Sequence, residues 1–233
     1  MSILSLILIG ACDRATEQSP QVEIPPAAAV EKASASAPAS PIETVRACHA
    51  LRNAGQLRQA AERVVPERRD AVLDLLLSVD RLTIANRELE RAVRERIGAA
   101  TATVFSRPGV ANIVGVFSRD VEVVSERVES DRAEVTIQVA SRVPLERVAL
   151  VRRGGVWLIE TDPPVPGLSE EIRNLATALA EVARSVRNRP WTADELASEI
   201  KSRERGILRR ISKLIAESNS LQAVARSDGS VAP

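Results

Sequence analysis

The stretch AEVTIQVASRVPLERVALVRRGGVWLIE, Ala133 to Glu160, decides the fold. Val135, Ile137 and Val139 alternate with Glu134, Thr136 and Gln138, which puts apolar side chains on one side of an extended chain. Val143-Pro144 interrupts the run, because proline has no N–H for a ladder and fixes its own φ. A second run, Leu145 to Arg152, reaches Arg153-Gly154-Gly155, and a third begins at Val156-Trp157-Leu158-Ile159. Two β-rich runs joined through glycine predict a hairpin, since glycine tolerates the positive φ of tight turns. With Arg153-Gly154 as the turn residues, Leu150 faces Trp157 and Val148 faces Ile159, while Ala149 pairs with Leu158 and Arg147 with Glu160. Both faces are then partly apolar, so both require a cover. Upstream, Val121 to Glu129 supplies another strand, turned into this stretch by Ser130-Asp131.

The covers are sought in flanking helices. Pro41 to Ala54 carries Val45, Cys48 and Leu51 at helical spacing, with Gly55 as the stop. Leu57 to Val65 is a shorter amphipathic piece closed by Pro66. Glu67 to Ile97 sets Val72, Leu75, Val79, Leu82, Leu89 and Val93 near heptad spacing, with Asn86 on the same seam. Asn86 reads as a satisfied polar group or a bend, or else as a register-setting residue. Unbroken, this helix would run about 45 Å, so it either breaks near Thr83 or overhangs the sheet. Gly98 to Arg119 is ambiguous, with Phe105 and Phe117 as core anchors and Arg107-Pro108-Gly109 as a turn.

After the sheet, Asp162-Pro163-Pro164-Val165-Pro166-Gly167 continues neither strand nor helix. Ser169 can cap the next helix, whose stripe is Ile172, Leu175, Leu179, Val182 and Val186. Arg189-Pro190 stops it. Thr192 and Glu195 then stand at capping-box spacing, with Trp191 placed to staple onto Leu196. The helix from Ala193 to about Glu217 carries Leu196, Ile200, Ile207, Ile211, Leu214 and Ile215. Residues 168–217 are thus a helical hairpin, covering the second sheet face or the overhanging helix, or offered to an envelope protein partner. Residues 218–233 read as a frayed polar tail.

The chain has 233 residues and a formal charge of +1, so no global field favours nucleic acid. Lys32, Lys201 and Lys213 are its lysines, and the arginines are interleaved with acids as on a solvated surface. There is no tyrosine, and the aromatics are Phe105, Phe117, Trp157 and Trp191, which leaves little for stacking bases. Cys12 and Cys48 are too few for a cysteine metal site, and Cys48 reads as a small buried hydrophobe. No phosphate loop, metal-ligand cluster or serine elbow occurs, so no cofactor is implied.

Ile3 to Ile9 is too short to span a bilayer but suits a signal peptide. Ile9-Gly10-Ala11-Cys12 resembles the lipobox of bacterial lipoproteins, although Met1-Ser2 brings no basic residue ahead of it. The resemblance implies removal of residues 1–11 and lipid attachment at Cys12, giving a membrane-anchored protein on the periplasmic side of the envelope. Asp13 after Cys12 resembles the inner-membrane retention signal of enteric bacteria. Residues 12–40, rich in Ala, Pro, Ser and Glu, cannot bury enough surface to offset ordering entropy and read as a disordered tether, spanning roughly 30 Å.

Helices followed by an antiparallel meander make an α+β plan. Pro41-Ile42-Glu43-Thr44-Val45-Arg46, Gly55-Gln56-Leu57 and Arg153-Gly154-Gly155-Val156-Trp157-Leu158-Ile159 resemble the ketosteroid-isomerase-like cone fold, also called nuclear transport factor two-like. The resemblance covers roughly Pro41 to Asp162, within a cone-like domain of 41–167, and implies helices packed in the concave face of a curved sheet around a pocket. Here the lining would be Val45, Cys48, His49, Leu51, Val148, Leu150, Trp157 and Ile159. The family's catalytic tyrosine has no counterpart, and its histidine–aspartate pair could draw only on His49, which reads rather as a helix–sheet boundary residue. The sequence therefore points to a non-enzymatic envelope lipoprotein acting as a protein-interaction or scaffold module. An apolar-ligand site in the cone is the alternative, and an enzyme using His49 a further one.

Overall fold

In the computed structural model, which describes residues 40–105, 114–141 and 143–228, strands β1 (Val121–Glu129), β2 (Arg132–Val139), β3 (Glu146–Arg153) and β4 (Val156–Glu160) form an antiparallel meander in the order β1-β2-β3-β4. The leader, Cys12 and the tether before Ser40, the Arg107-Pro108-Gly109 turn and residues 229–233 lie outside the described residues. Ahead of the sheet come α1 (Pro41–Asn53), α2 (Leu57–Ala61), α3 (Arg69–Arg96) and α4 (Ala99–Phe105); after it come α5 (Leu168–Asn188) and α6 (Ala193–Asp228). The fold is α+β, and its sheet is not strongly curled. No helix among the described residues is long and apolar enough to cross a membrane.

The β3–β4 register differs from the expected one. Leu150 pairs with Ile159 and Arg152 with Trp157, so the turn residues are Gly154 and Gly155. Both have positive φ (58° and 80°), the pair of conformations that a type I′ turn needs; Arg153 in that role would strain its Cβ. The slip moves every partner by two residues, so each side chain keeps its face. Ala133, Val135, Ile137 and Val139 of β2, Val148 and Leu150 of β3, and Trp157 and Ile159 of β4 are accordingly all buried on one side.

Helix α1 covers that side with Val45 and Cys48. It starts on a capping box, Ser40 Oγ accepting from Glu43 N and Glu43 Oε2 from Ser40 N. Glu126 of β1 also accepts from Ile42 N at 3.2 Å, tying the helix start to the sheet. Beyond α2 the chain pairs with the free edge of β4: Val65 N donates to Ile159 O and Ile159 N to Arg63 O.

The opposite side is not covered by helices as expected. Arg127, Arg132, Glu134, Arg147 and Glu160 stand exposed there, with Arg147 3.6 Å from Glu134 and Arg132 4.0 Å from Glu160. Leu158 is buried on that side, with Val151 and Val156 partly buried beside it.

The C-terminal hairpin instead covers α3, which runs unbroken through Thr83 and overhangs the sheet. Its first turns put Val72 and Leu76 into the sheet core. From Val79 onward it packs in a second core with Leu175, Leu179 and Val182 of α5 and Leu196 and Ile200 of α6. Arg173 donates to Asp74 at 2.7 Å and Arg96 to Arg187 O at 2.9 Å, so α3 and α5 run in the same direction. Glu181 meets Arg203 and Glu171 meets Arg210, each at 2.6 Å, which makes α5 and α6 antiparallel.

Three end and seam assignments change. The N-cap of α5 is Gly167, with φ 79°, and Ser169 lies inside the first turn. Helix α6 continues to Asp228, past Glu217 and into the stretch expected to fray. Asn86 is 5% exposed and its Oδ1 has no hydrogen-bond partner, so the oxygen is not satisfied. By contrast, Thr192 and Glu195 form the expected capping box, Glu195 N donating to Thr192 Oγ1 and Thr192 N to Glu195 Oε2.

An unpaired buried carbonyl costs more than an apolar group of the same shape. Asn86→Leu is therefore expected to raise the unfolding free energy by about 1–2 kcal/mol in urea titrations. A loss of stability would mean that the amide has a partner in solution.

Candidate functional site

Where the two cores part, a cleft of about 1120 Å³ opens, drawing Val116, Phe117 and Val148 from the sheet core and Leu82, Ile172 and Leu175 from the helical one. Leu208, Ile211 and Ile215 of α6 form a further wall, Leu208 and Ile215 being 43% and 42% exposed. Pro163 and Pro164, which end the sheet, and Leu168 complete the apolar lining. Charge is supplied by Arg68, Glu146, Arg147, Glu160 and Asp162. The volume lies just above the range of small-molecule sites, about 300–1,000 Å³.

Two glycines shape this cleft. Gly167 reverses the chain after the proline run so that α5 returns alongside it. Gly115 (φ 54°) lies so close to the Glu146 carboxylate that a Cβ would meet Oε2 at 3.0 Å.

The wall made by α3 is fixed by a buried ion pair. Arg52, the last buried residue of the α1 face that carries Val45 and Cys48, is fully buried and makes a fork with Asp80 of α3: 2.8 Å from one guanidinium nitrogen and 2.5 Å from the other. Its Nε donates to Phe117 O at 3.1 Å. Arg119 adds a longer contact to Asp80, 3.4 Å. Burial alone would raise the Asp80 pKa, but the Arg52 hydrogen bonds and charge, with Arg119 behind them, hold it below the usual aspartate value.

Of the eight residues expected to line a pocket, Val45, Cys48, Val148, Leu150, Trp157 and Ile159 are packed in the sheet core, and Leu51 is partly buried against it. Val148 alone of the eight also lines the cleft. Burial pushes the Cys48 thiol up to about 12 against the pull of Arg63 and Arg52, which leaves it a protonated core residue. His49 Nε2 lies 3.0 Å from Arg119 O and 2.9 Å from Asn53 Nδ2. That nitrogen can donate to the carbonyl or accept from the amide, not both, and no carboxylate among the described residues hydrogen-bonds the ring. His49 thus pins the entry to β1.

No protein-family model, curated protein or solved structure matches the chain. Its site is read from its own geometry. Among the described residues, no group of three His, Cys, Asp or Glu side chains could hold a metal ion. The arrangement offers an apolar volume with a charged rim.

Sequence reasoning missed Arg52, Asp80 and the cleft. An arginine at Val45 plus seven, on the apolar face of α1, was the signal that could have exposed the pair.

The Asp80 carboxyl is depressed in the fold, so its contribution is full above the unfolded value, about 4, and is lost as pH falls through the folded one. Asp80→Asn leaves Arg52 buried and unpaired, with an expected loss of about 3–5 kcal/mol in urea titrations at pH 7. The variant should also lose less stability than the native chain between neutral and acid pH. Exposed Glu67 and Glu195 and the half-buried Glu171 also lie below the usual glutamate value, held down by the Glu67 and Thr192 backbones and by Arg153 and Arg210. Equal acid slopes in the two proteins would refute the assignment.

Proposed function

We propose that the chain is a lipoprotein of the bacterial envelope, anchored through Cys12 on the periplasmic side, whose folded body is a non-enzymatic module holding an apolar ligand in the cleft. The observation that carries the ligand reading is the cleft, with walls from two separate cores and charge confined to a few rim residues. The anchor is supported by Ile9-Gly10-Ala11-Cys12 and by the Ala-, Pro- and Ser-rich run up to Ser40. The order of helices and meander supports the cone resemblance as far as it goes. In a cone the ligand would sit under α1, where Val45, Cys48, Leu150 and Ile159 pack on one another, so we place it on the α5–α6 side instead.

Two other readings lose ground. The hairpin 168–217, the surface for a protein partner, packs its Ile172–Val186 stripe against α3, which leaves a scaffold role to the outer half of α6. An enzyme using His49 would need a carboxylate partner, and the ring is engaged by Arg119 O and Asn53.

Replacing Cys12 with serine is expected to move the protein from the membrane to the soluble fraction; a variant that stays membrane-bound defeats the anchor. The soluble Cys12→Ser chain is expected to bind the fluorescent apolar probe N-phenyl-1-naphthylamine. Adding Leu208→Glu and Ile215→Glu, both at exposed positions, should weaken that binding at least about tenfold with the helical circular dichroism unchanged. Probe binding that is absent, or indifferent to both glutamates, removes the ligand reading.

A further inference from the structure

We infer that the ligand is a zwitterionic glycerophospholipid, its acyl part in the cleft, its phosphate at Arg68 and its ammonium at Asp162. This rests on the cleft being a ligand site and adds what occupies it.

The chemistry is graded along the lining. Leu82, Phe117, Ile172, Leu175 and Ile211 offer no hydrogen bonds, so whatever fills that part must bring none that need partners. An extended peptide fails this condition, because each residue carries an N–H and a C=O. A helical peptide satisfies its own backbone but is about 10 Å across, so this volume takes only about three turns or fewer, too short to be helical alone in water. Hydrocarbon meets the condition without cost.

The rim then selects the head group. Arg147 is engaged by Glu134 and Glu160 by Arg132, and the Glu146 carboxylate lies against Gly115. Glu67, next to Arg68, is taken by Arg153 at 2.6 Å. That leaves Arg68 and Asp162, neither of them in an ion pair, as one positive and one negative charge in the lining of the same cleft. A phosphate and an ammonium on one head group complement both, whereas a purely anionic head meets Asp162 as a like charge.

The test uses the full chain carrying Cys12→Ser, so that no acyl anchor holds it to a membrane. It is mixed with vesicles of equal parts phosphatidylethanolamine and phosphatidylglycerol and separated from them by gel filtration. Lipid carried with the protein is then extracted and identified by mass spectrometry. The expected result is a single lipid per chain, enriched in phosphatidylethanolamine at least about tenfold. Arg68→Glu and Asp162→Lys should each abolish the enrichment, and Leu208→Glu with Ile215→Glu should abolish the uptake. Uptake without head preference, or a preference that survives both rim changes, overturns the inference. So does a leucine–alanine helical peptide that displaces the naphthylamine probe at lower concentration than the phospholipid does. If the probe binds but no phospholipid is carried, this inference fails and the apolar-ligand reading stands; if neither binds, both fail.

Discussion

The fork between Arg52 and Asp80 is the constraint on which the rest of the structure depends. It joins α1, which roofs the sheet, to α3, which carries the second core, and through Phe117 O it also holds the chain entering β1. A buried ion pair adds little net stability over apolar packing, because desolvation offsets most of the attraction. Its effect is on the alternatives. Arg52 is fully buried, so any arrangement that slides α3 away from α1 strands a guanidinium in the core. Apolar contacts between Val72, Leu76 and the sheet would tolerate such a slide far better, since they are not directional.

With α3 fixed in that way, the remaining geometry follows from its length. Twenty-eight residues make a helix of about 42 Å, much longer than the half that meets the sheet. The overhanging half presents Leu82, Leu89 and Val93 with no strand to cover them, and the α5–α6 hairpin supplies the cover. Helix α5 begins beside the first turns of α3, where Arg173 meets Asp74, just after the proline run by which the chain leaves β4. The cleft lies there, lined by Val148 from the sheet and Ile172 from α5.

What was legible in the sequence was whatever repeats locally. Alternation in β2 and the stripe of α5 each name their buried face correctly, because a face is set by a period of two or of 3.6 residues. The Thr192–Glu195 box was legible for the same reason, and the Ser40–Glu43 box, equally local, was there to be found. The hairpin register was legible only to within two residues, since Gly154-Gly155 and Arg153-Gly154 leave the same side chains on the same face. Arg52 and Asp80 were not legible: they stand twenty-eight positions apart, and nothing in either helix names the other. The pocket failed for a related reason. Periodicity says which side chains point inward, but not whether what lies opposite fills the space, and opposite Leu150 and Ile159 it does.

Apolar walls facing water are unfavourable by about 25 cal/mol per Å², so a cleft of this size persists only where collapse would cost more. Closing it means moving α3 or the α5–α6 pair toward β3. The first breaks the Arg52–Asp80 fork; the second pulls α5 off α3, where Leu179, Val182 and Val186 are almost fully buried. Neither core can shrink the opening without damaging itself. Filling it from outside carries no such penalty, and a hydrocarbon chain with its polar end at Arg68 and Asp162 removes the wall from water while leaving both frames in place.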